Sequence, residues 1–337
     1  MTTVNRRITL AARPRGLPRI SDFRLDFAGL PVPLVGEVVV QSVYLSLDPG
    51  MRRQMDAVES FDPTVILGEV MAGGAVGSVV ESRDGNFRVG EIVAGMFGWQ
   101  EYAVIPGVSL RRIDPDVAPI STALGVLGIP GLTAYFGLLQ IGQPHRGETV
   151  LVSGAADAVG MIVGQIAKIE GCCVVGVAGA EAKVAWLLDE LDFDGAFNYK
   201  TAPDFHSKLA ELCSGGIDVY FDNVGGAITD AAMGQINEGA RVVVCGQISQ
   251  YNLVTPELGP RWLGQLVIKQ ARVQGFRVAT YVTLFAEGLA QLTTWMRQGK
   301  LNYREDVAQG IEAAPQAFIA MLEGKNQGKQ LVQLSAS

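Results

Sequence analysis

The chain has 337 residues, of which 48% are apolar, 18% charged and 41 glycine, and it carries a net charge of −7. That length exceeds one comfortable core and favours two domains, and the composition excludes a disordered or fibrous protein. An acidic balance with no basic block argues against nucleic acid as a partner.

The opening residues, MTTVNRRITLAARPRG, lack the apolar core of a secretory leader, so a cytoplasmic protein is expected. Over the first hundred residues the runs GEVVVQSVYLSLD, GGAVGSVVES, GEIVAGMFG and WQEYAVIP alternate apolar and polar positions between turn signals, which predicts β-strands with long loops. Gly73, Gly74 and Gly77 fall in the second run with no helix behind them, so they read as a β-bend and not as a phosphate loop. From Val117 to His145 there is no Asp, Glu, Lys or Arg. Roughly 20 apolar residues would span a membrane, but Pro119, Pro130 and recurrent glycines break this stretch, and a buried crossing between domains is expected instead.

From Thr149 the rhythm changes. Strands are predicted at 149–152, 172–177, 196–199, 217–222, 241–245 and 272–276, with helices at 159–170, 181–191, 203–213 and 226–237 between them. Such βα alternation implies an α/β fold with a doubly wound parallel sheet that takes its ligand at the carboxyl ends of the strands. After Lys300 the rhythm stops, and a helix at 312–323 with a last strand at 330–334 is expected to pack back onto the N-terminal β-domain. Cys172, Cys173, Cys213 and Cys245 form no CxxC pair, and His145 and His206 each stand alone. Reduced core thiols and no metal site are therefore expected.

The turn 153–160 separates a strand from a helix whose Val159, Ile162, Val163, Ile166 and Ile169 share one face. Gly154 and Ala155 let backbone approach a pyrophosphate held at the helix N-terminus, and Gly160 lets that helix pack close to the sheet. The second strand ends in Ala178, Gly179 and Ala180, small residues where NAD sites commonly carry an acid, and Lys183 follows. A cation there suits a 2′-phosphate and predicts NADPH; an ordinary surface lysine is the alternative. Glu181 is expected to favour the start of its helix. Asn223 and the loop from Cys245 to Tyr251 also fall at strand ends. Asn223 could hydrogen-bond a nicotinamide ribose or simply cap its turn.

The runs LSLDPGMR, LGEVMAGGAVG, PGLTAYFGLL, VGQIAKIEGCCVVGVAG, FNYK, YFDNVGG, VCGQISQYN and GKNQGK occur in this order over nearly the whole chain. Together they resemble the zinc-free medium-chain dehydrogenase/reductases, and within them the leukotriene B4 12-hydroxydehydrogenase/prostaglandin reductases and the curcumin-reductase-like enzymes. The resemblance implies a GroES-like β-rich catalytic domain over 1–128, completed by 304–337, with a Rossmann NADP-binding domain over 129–303. It implies NADPH-dependent reduction of the C=C bond of α,β-unsaturated ketones and aldehydes, without metal, nucleic acid or membrane, in a homodimer joined through the Rossmann domains.

Carried onto this sequence, the resemblance assigns Gly154, Ala155, Asp157, Val159, Gly160 and Gly179 to the cofactor. Lys183 and Tyr199 would hold its 2′-phosphate end. Asn223, Cys245, Gly246, Ile248 and Ser249 would line the nicotinamide side, and Phe276, Arg277, Val278 and Asn326 would also touch cofactor. Tyr251 corresponds to the active-site tyrosine, which would stabilise the enolate oxygen or relay a proton; packing on the core is its plain alternative. A quinone reductase and a weakly catalytic NADPH-binding sensor or structural homologue remain alternative functions.

Two residues depart from the family pattern. Gly50 stands where a tyrosine is usual, which removes a bulky wall near the expected substrate cleft. Asp157 stands where the turn usually has its middle glycine. A carboxylate ~4 Å from a pyrophosphate costs roughly 1 kcal/mol in water and about 4 at an effective dielectric of 20, unless it points away or caps the helix that follows.

Overall fold

Strands buried on both faces read as near-continuous apolar runs, and TVLVS, CVVGVA and IDVYFD form such strands at the centre of a parallel sheet. The computed structural model describes residues 4–57, 63–202 and 204–335. The chain divides into two compact units, one of Val126–Arg304 and one of Met1–Gly125 with Glu305–Ser337.

In the unit Val126–Arg304 the elements are α1 (Ile129–Phe136), β1 (Thr149–Ser153), α2 (Gly160–Ile169), β2 (Cys173–Ala178), α3 (Glu181–Asp189), β3 (Gly195–Asn198) and α4 (Phe205–Leu212). They continue with β4 (Ile217–Asp222), α5 (Gly226–Met233), β5 (Ile236–Val244), α6 (Leu263–Ile268), β6 (Arg272–Gly275) and α7 (Phe285–Arg297). All six strands are parallel, in the order β3-β2-β1-β4-β5-β6. This is the doubly wound Rossmann order, and it sets the carboxyl ends of β1 and β4 side by side where the strand order reverses. Met161, Ile162, Val163 and Ile166 of α2 are fully buried, each aliphatic side chain contributing roughly 1.5–3 kcal/mol. The buried Gln165 is satisfied by donating to Met161 O and Asn302 O and accepting from Asn302 N.

Most boundaries lie within two residues of expectation, and the largest difference falls after β4. The helix expected over 226–237 ends at Met233, and β5 opens at Ile236 instead of 241. Ile236 and Ala240 are both buried at a spacing of four, which reads as helical in sequence. The structure places them instead in a strand whose register against β4 shifts between Ile217 and Val219. Pro203, which opens the helix expected at 203–213, lies outside the described residues.

The other unit is built on a seven-stranded sheet. Its path runs Glu305–Gln309, Lys329–Gln333, Glu37–Ser46, Gly74–Ser82, Ile92–Met96 and Arg111–Arg112, and Tyr102–Pro106 also pairs with Glu37–Ser46. Val4–Leu10 pairs with Phe23–Gly29 beside it. Trp99 is fully buried at the core, stacked on Phe23 at 5.7 Å and edge-on to Phe318 at 5.5 Å. Gly77 faces Ser42 in a strand pair whose register shifts there, so the glycine run belongs to a bulged strand and not to a phosphate loop.

The tail folds into this unit. Lys329–Gln333 pairs antiparallel with Glu37–Ser46. The buried Lys329 Nζ donates to Leu47 O at 2.6 Å and lies 3.1 Å from Asp48 Oδ1. The charge-free stretch contains the division between Gly125 and Val126, and it forms a 3-10 turn (Ile120–Leu124) before α1. Among the described residues no helix is long and apolar enough to cross a membrane.

Candidate functional site

At the carboxyl edge of the parallel sheet, β1 ends at Ser153 and the chain turns sharply into α2. Gly154 has φ +58, and a Cβ on Gly160 would lie 2.1 Å from Gly154 O, so the turn can close only with glycine at these two places. No side chain caps the start of α2. Met161 N donates to Asp157 O, and Ile162 N and Val163 N to Val159 O, so what the start of α2 offers an anion is its positive dipole end.

Asp157 neither points away from the site nor caps the helix. Its backbone carbonyl accepts from Met161 N, while its side-chain Oδ1 accepts from Lys183 Nζ at 2.7 Å. The Asp157 side chain is 45% exposed but that of Lys183 only 7%. The surface-lysine alternative is therefore corrected: Lys183 is a buried ammonium in the first turn of α3, just past β2, held by a carboxylate of the turn. Glu181 opens α3, and its carboxylate accepts from Thr201 Oγ1 at 2.7 Å and Asn198 Nδ2 at 2.9 Å. The Thr201 hydroxyl and then the Asn198 amide hold that carboxyl below its ordinary value.

Gly179 lies between these groups and the end of β3. A Cβ there would sit 3.3 Å from the Tyr199 ring and 3.4 Å from Lys200 Nζ. Burial pushes the Tyr199 phenol up, and the charge of Asp157 adds to it. Gly154, Ala155, Asp157, Val159, Gly160, Gly179, Lys183 and Tyr199 thus gather at the carboxyl ends of β1, β2 and β3. Lys200, whose ammonium stands 5.8 Å from the Tyr199 ring centroid, joins them and was not singled out from sequence.

A second group forms beyond β4 and β5, organised by a residue that sequence reasoning passed over. Asp222 is fully buried. Its Oδ1 accepts from Ser153 Oγ at 3.0 Å, Tyr220 OH at 2.9 Å, Val224 N at 3.0 Å and Gly225 N at 2.9 Å, and its Oδ2 accepts from Thr229 Oγ1 at 2.7 Å. Ser153 Oγ in turn accepts from Asn223 N at 2.9 Å. The Asn223 amide donates to Ser153 O at 2.7 Å, so this side chain bridges to β1 and does not cap its own turn.

The loop after β5 is laced to the same turn. Cys245 N and Gly246 N donate to Asp222 O, Ile248 N to Asn223 O, and both N and Oγ of Ser249 to Val224 O. Burial, with the Asp222 charge adding to it, pushes the Cys245 thiol up to about 12, so this sulfur is no thiolate nucleophile near neutral pH. Tyr251 follows a 3-10 turn (Ile248–Gln250), half-buried, and its hydroxyl accepts from Gln247 N at 3.3 Å. The ring folds back over its own loop and is not part of the core.

Phe276 follows β6 and meets Phe221 edge-on at 6.5 Å, and Arg277 and Val278 lead into the next 3-10 turn. Asn326 belongs to the other unit, where it is buried with its amide donating to Gly328 O at 2.8 Å. Gly50, also in that unit, precedes a short helix, and a Cβ there would meet nothing within 4 Å.

Residues 6–113 match the family described as the N-terminal domain of oxidoreductase, and residues 158–296 the one described as zinc-binding dehydrogenase. Over 336 residues the chain is 42% identical to the NADPH-dependent curcumin reductase of Escherichia coli (strain K12), covering 98% of this chain and 97% of that one. The chain belongs to the medium-chain dehydrogenase/reductase family. Within this family it lies in the group of curcumin, alkenal and prostaglandin reductases. It is 41% identical over 336 residues to the 2-alkenal reductase (NADP+-dependent) of Nicotiana tabacum, with 98% of each chain covered. The crystal structure of CurA in complex with NADPH from Vibrio vulnificus matches with a TM-score of 0.94 and 45% identity, over 98% of this chain and 100% of that one. The zinc in one family description has no visible counterpart here. Among the described residues no three His, Cys, Asp or Glu side chains gather in a group that could hold a metal.

Proposed function

We propose that the protein is an NADPH-dependent reductase of the C=C bond of α,β-unsaturated ketones and aldehydes. The observation that carries the reading is the convergence of an uncapped α2 start with the buried Lys183 ammonium and the Tyr199 phenol at the ends of β1, β2 and β3. That donor set fits a pyrophosphate and a 2′-phosphate, and the named activities of the Escherichia coli and Nicotiana tabacum relatives support the substrate class.

When bound, NADPH supplies the hydride for the β-carbon of the enone. The turn Gly154–Gly160 would hold the diphosphate, Lys183 and Tyr199 the 2′-phosphate end, and Asn223 with the Cys245–Tyr251 loop the nicotinamide end. Phe276, Arg277 and Val278 would complete the cofactor contacts of the unit Val126–Arg304. The chemistry asks the protein to orient the reactants and to stabilise the negative charge that develops on the carbonyl oxygen. Tyr251 is suited to stabilising that charge, because a phenolic hydroxyl both accepts and donates, and its oxygen is held at the loop by Gln247 N–H. The unit Val126–Arg304 would then be the NADP-binding domain and the β-rich unit the catalytic domain.

A homodimer joined along β6 is part of this reading. That strand ends the sheet, and Val273 on it and Leu263, Val267 and Ile268 on α6 are exposed apolar residues. A reducing, cytoplasmic setting accords with four free thiols.

The test is NADPH oxidation followed by its absorbance across enones, alkenals and quinones. Turnover of enones and alkenals is expected. Turnover of quinones alone would replace the reading with a quinone reductase, and no turnover with any acceptor would replace it with a binding protein.

A further inference from the structure

The adenosine end of the site contains its own anion. Asp157 Oδ1 holds Lys183 Nζ at 2.7 Å, while Oδ2 stands 3.5 Å from the place a Cβ on Gly154 would occupy. One carboxylate therefore spans from the phosphate-binding turn to the buried ammonium. The two residues differ in freedom, since Lys183 is enclosed and Asp157 is nearly half exposed. A buried ammonium without a counter-ion is costly, so with no phosphate in place Asp157 satisfies Lys183. The exposed partner is the one able to swing away. Glu181 is not placed for this role, because Asn198 and Thr201 hold its Oε1 and residues two apart on a helix do not face each other. Lys200 supplies a second cation, close to Gly179.

We propose that Asp157 is a cofactor-specificity residue, an internal counter-ion that competes with the adenosine 2′-phosphate for Lys183. This rests on the reading of the turn as a dinucleotide site. A cofactor with a 2′-phosphate must break or share the Asp157–Lys183 pair, whereas one with a free 2′-hydroxyl leaves it intact and can donate that hydroxyl to the carboxylate. The attraction of Lys183 for the phosphate is thus offset by the pair it loses. Preference for NADPH over NADH is compressed below what an unpaired lysine would give.

The test uses adenosine 2′,5′-bisphosphate and AMP as probes, titrated calorimetrically into the full chain, so that catalysis does not enter. The readout is the ratio of their dissociation constants in wild type, Asp157→Asn, Lys183→Met and the double variant. Asp157→Asn keeps the side-chain shape and is expected to raise selectivity for the 2′-phosphate at least about fivefold, the effect of one unit charge ~4 Å away in a water-like medium. In the Lys183→Met background the same change is expected to give a much smaller gain, because the competition is for Lys183. Unchanged or reduced selectivity in Asp157→Asn, with both probes still binding, would overturn the proposal while leaving the dinucleotide site standing. Equal gains with and without Lys183 would also overturn it, by reducing Asp157 to a through-space repulsion. If neither probe binds any of the four proteins, the dinucleotide reading itself fails and takes the proposal with it.

Discussion

Replacing Asp222 separates a structural carboxylate from a decorative one. It is fully buried, no cation is paired with it among the described residues, and five donors converge on its two oxygens. In Asp222→Ala the hydroxyls of Ser153, Tyr220 and Thr229 can rotate toward other acceptors, and Val224 N also reaches Ser153 Oγ at 3.3 Å. Gly225 N–H has no such recourse. Loss of charge-assisted bonds plus stranded buried donors, at about 1–3 kcal/mol each, gives a destabilisation of roughly 3–5 kcal/mol. Asp222→Asn can keep the four bonds to Oδ1 and turn its NH2 to Thr229 Oγ1, which can accept; it loses only the charge and is expected to cost about 1–2 kcal/mol. Urea unfolding of the three proteins measures both differences. An Ala variant within about 1 kcal/mol of wild type, or an Asn variant as unstable as the Ala one, would refute this account of the hub.

Two further outcomes are expected. Burial acts to raise the Glu148 carboxyl, but the Arg241 hydrogen bonds and the His145 N–H outweigh it and hold it below the ordinary value. A lowered folded-state value gives stability that is present above the unfolded value near ~4.3 and is lost as pH falls through the folded one. The gap in urea midpoint between wild type and Glu148→Gln should therefore be full at neutral pH and close in acid; a gap independent of pH contradicts it. At the sheet edge, sedimentation should give wild type at twice the 35.9 kDa chain mass and Val273→Pro as a monomer. A monomeric wild type at micromolar concentration would remove β6 as a dimer edge.

The doubly wound sheet was legible because its central strands are covered on both faces, so Val150, Leu151 and Val152 or Tyr220 and Phe221 announce themselves as unbroken apolar runs. The strand Glu305–Gln309 was not, since EDVAQ is half-buried with no apolar run. The glycine-rich turn and Lys183 were readable from spacing along β1, α2 and β2. Their ion pair was not, because Asp157 and Lys183 are 26 residues apart and meet only through the way α2 and α3 start from adjacent strands. Asp222 was passed over for a related reason. An acid at the end of an apolar strand looks like a surface residue until the neighbouring strand supplies Ser153, 69 residues earlier.

The tail strand has a consequence for the order in which the protein can be made. Lys329 Nζ reaches Leu47 O across 282 residues of sequence, and the strand Lys329–Gln333 completes pairing with Glu37–Ser46. During synthesis the parallel sheet unit has all its strands by Gly275, whereas the β-rich sheet begun first must wait for its last partner. An N-terminal domain usually folds first as the chain emerges; here the closing contact of that domain becomes available only after the parallel-sheet unit has been made, and the edge at Tyr44–Ser46 must stay clear of other strands until then.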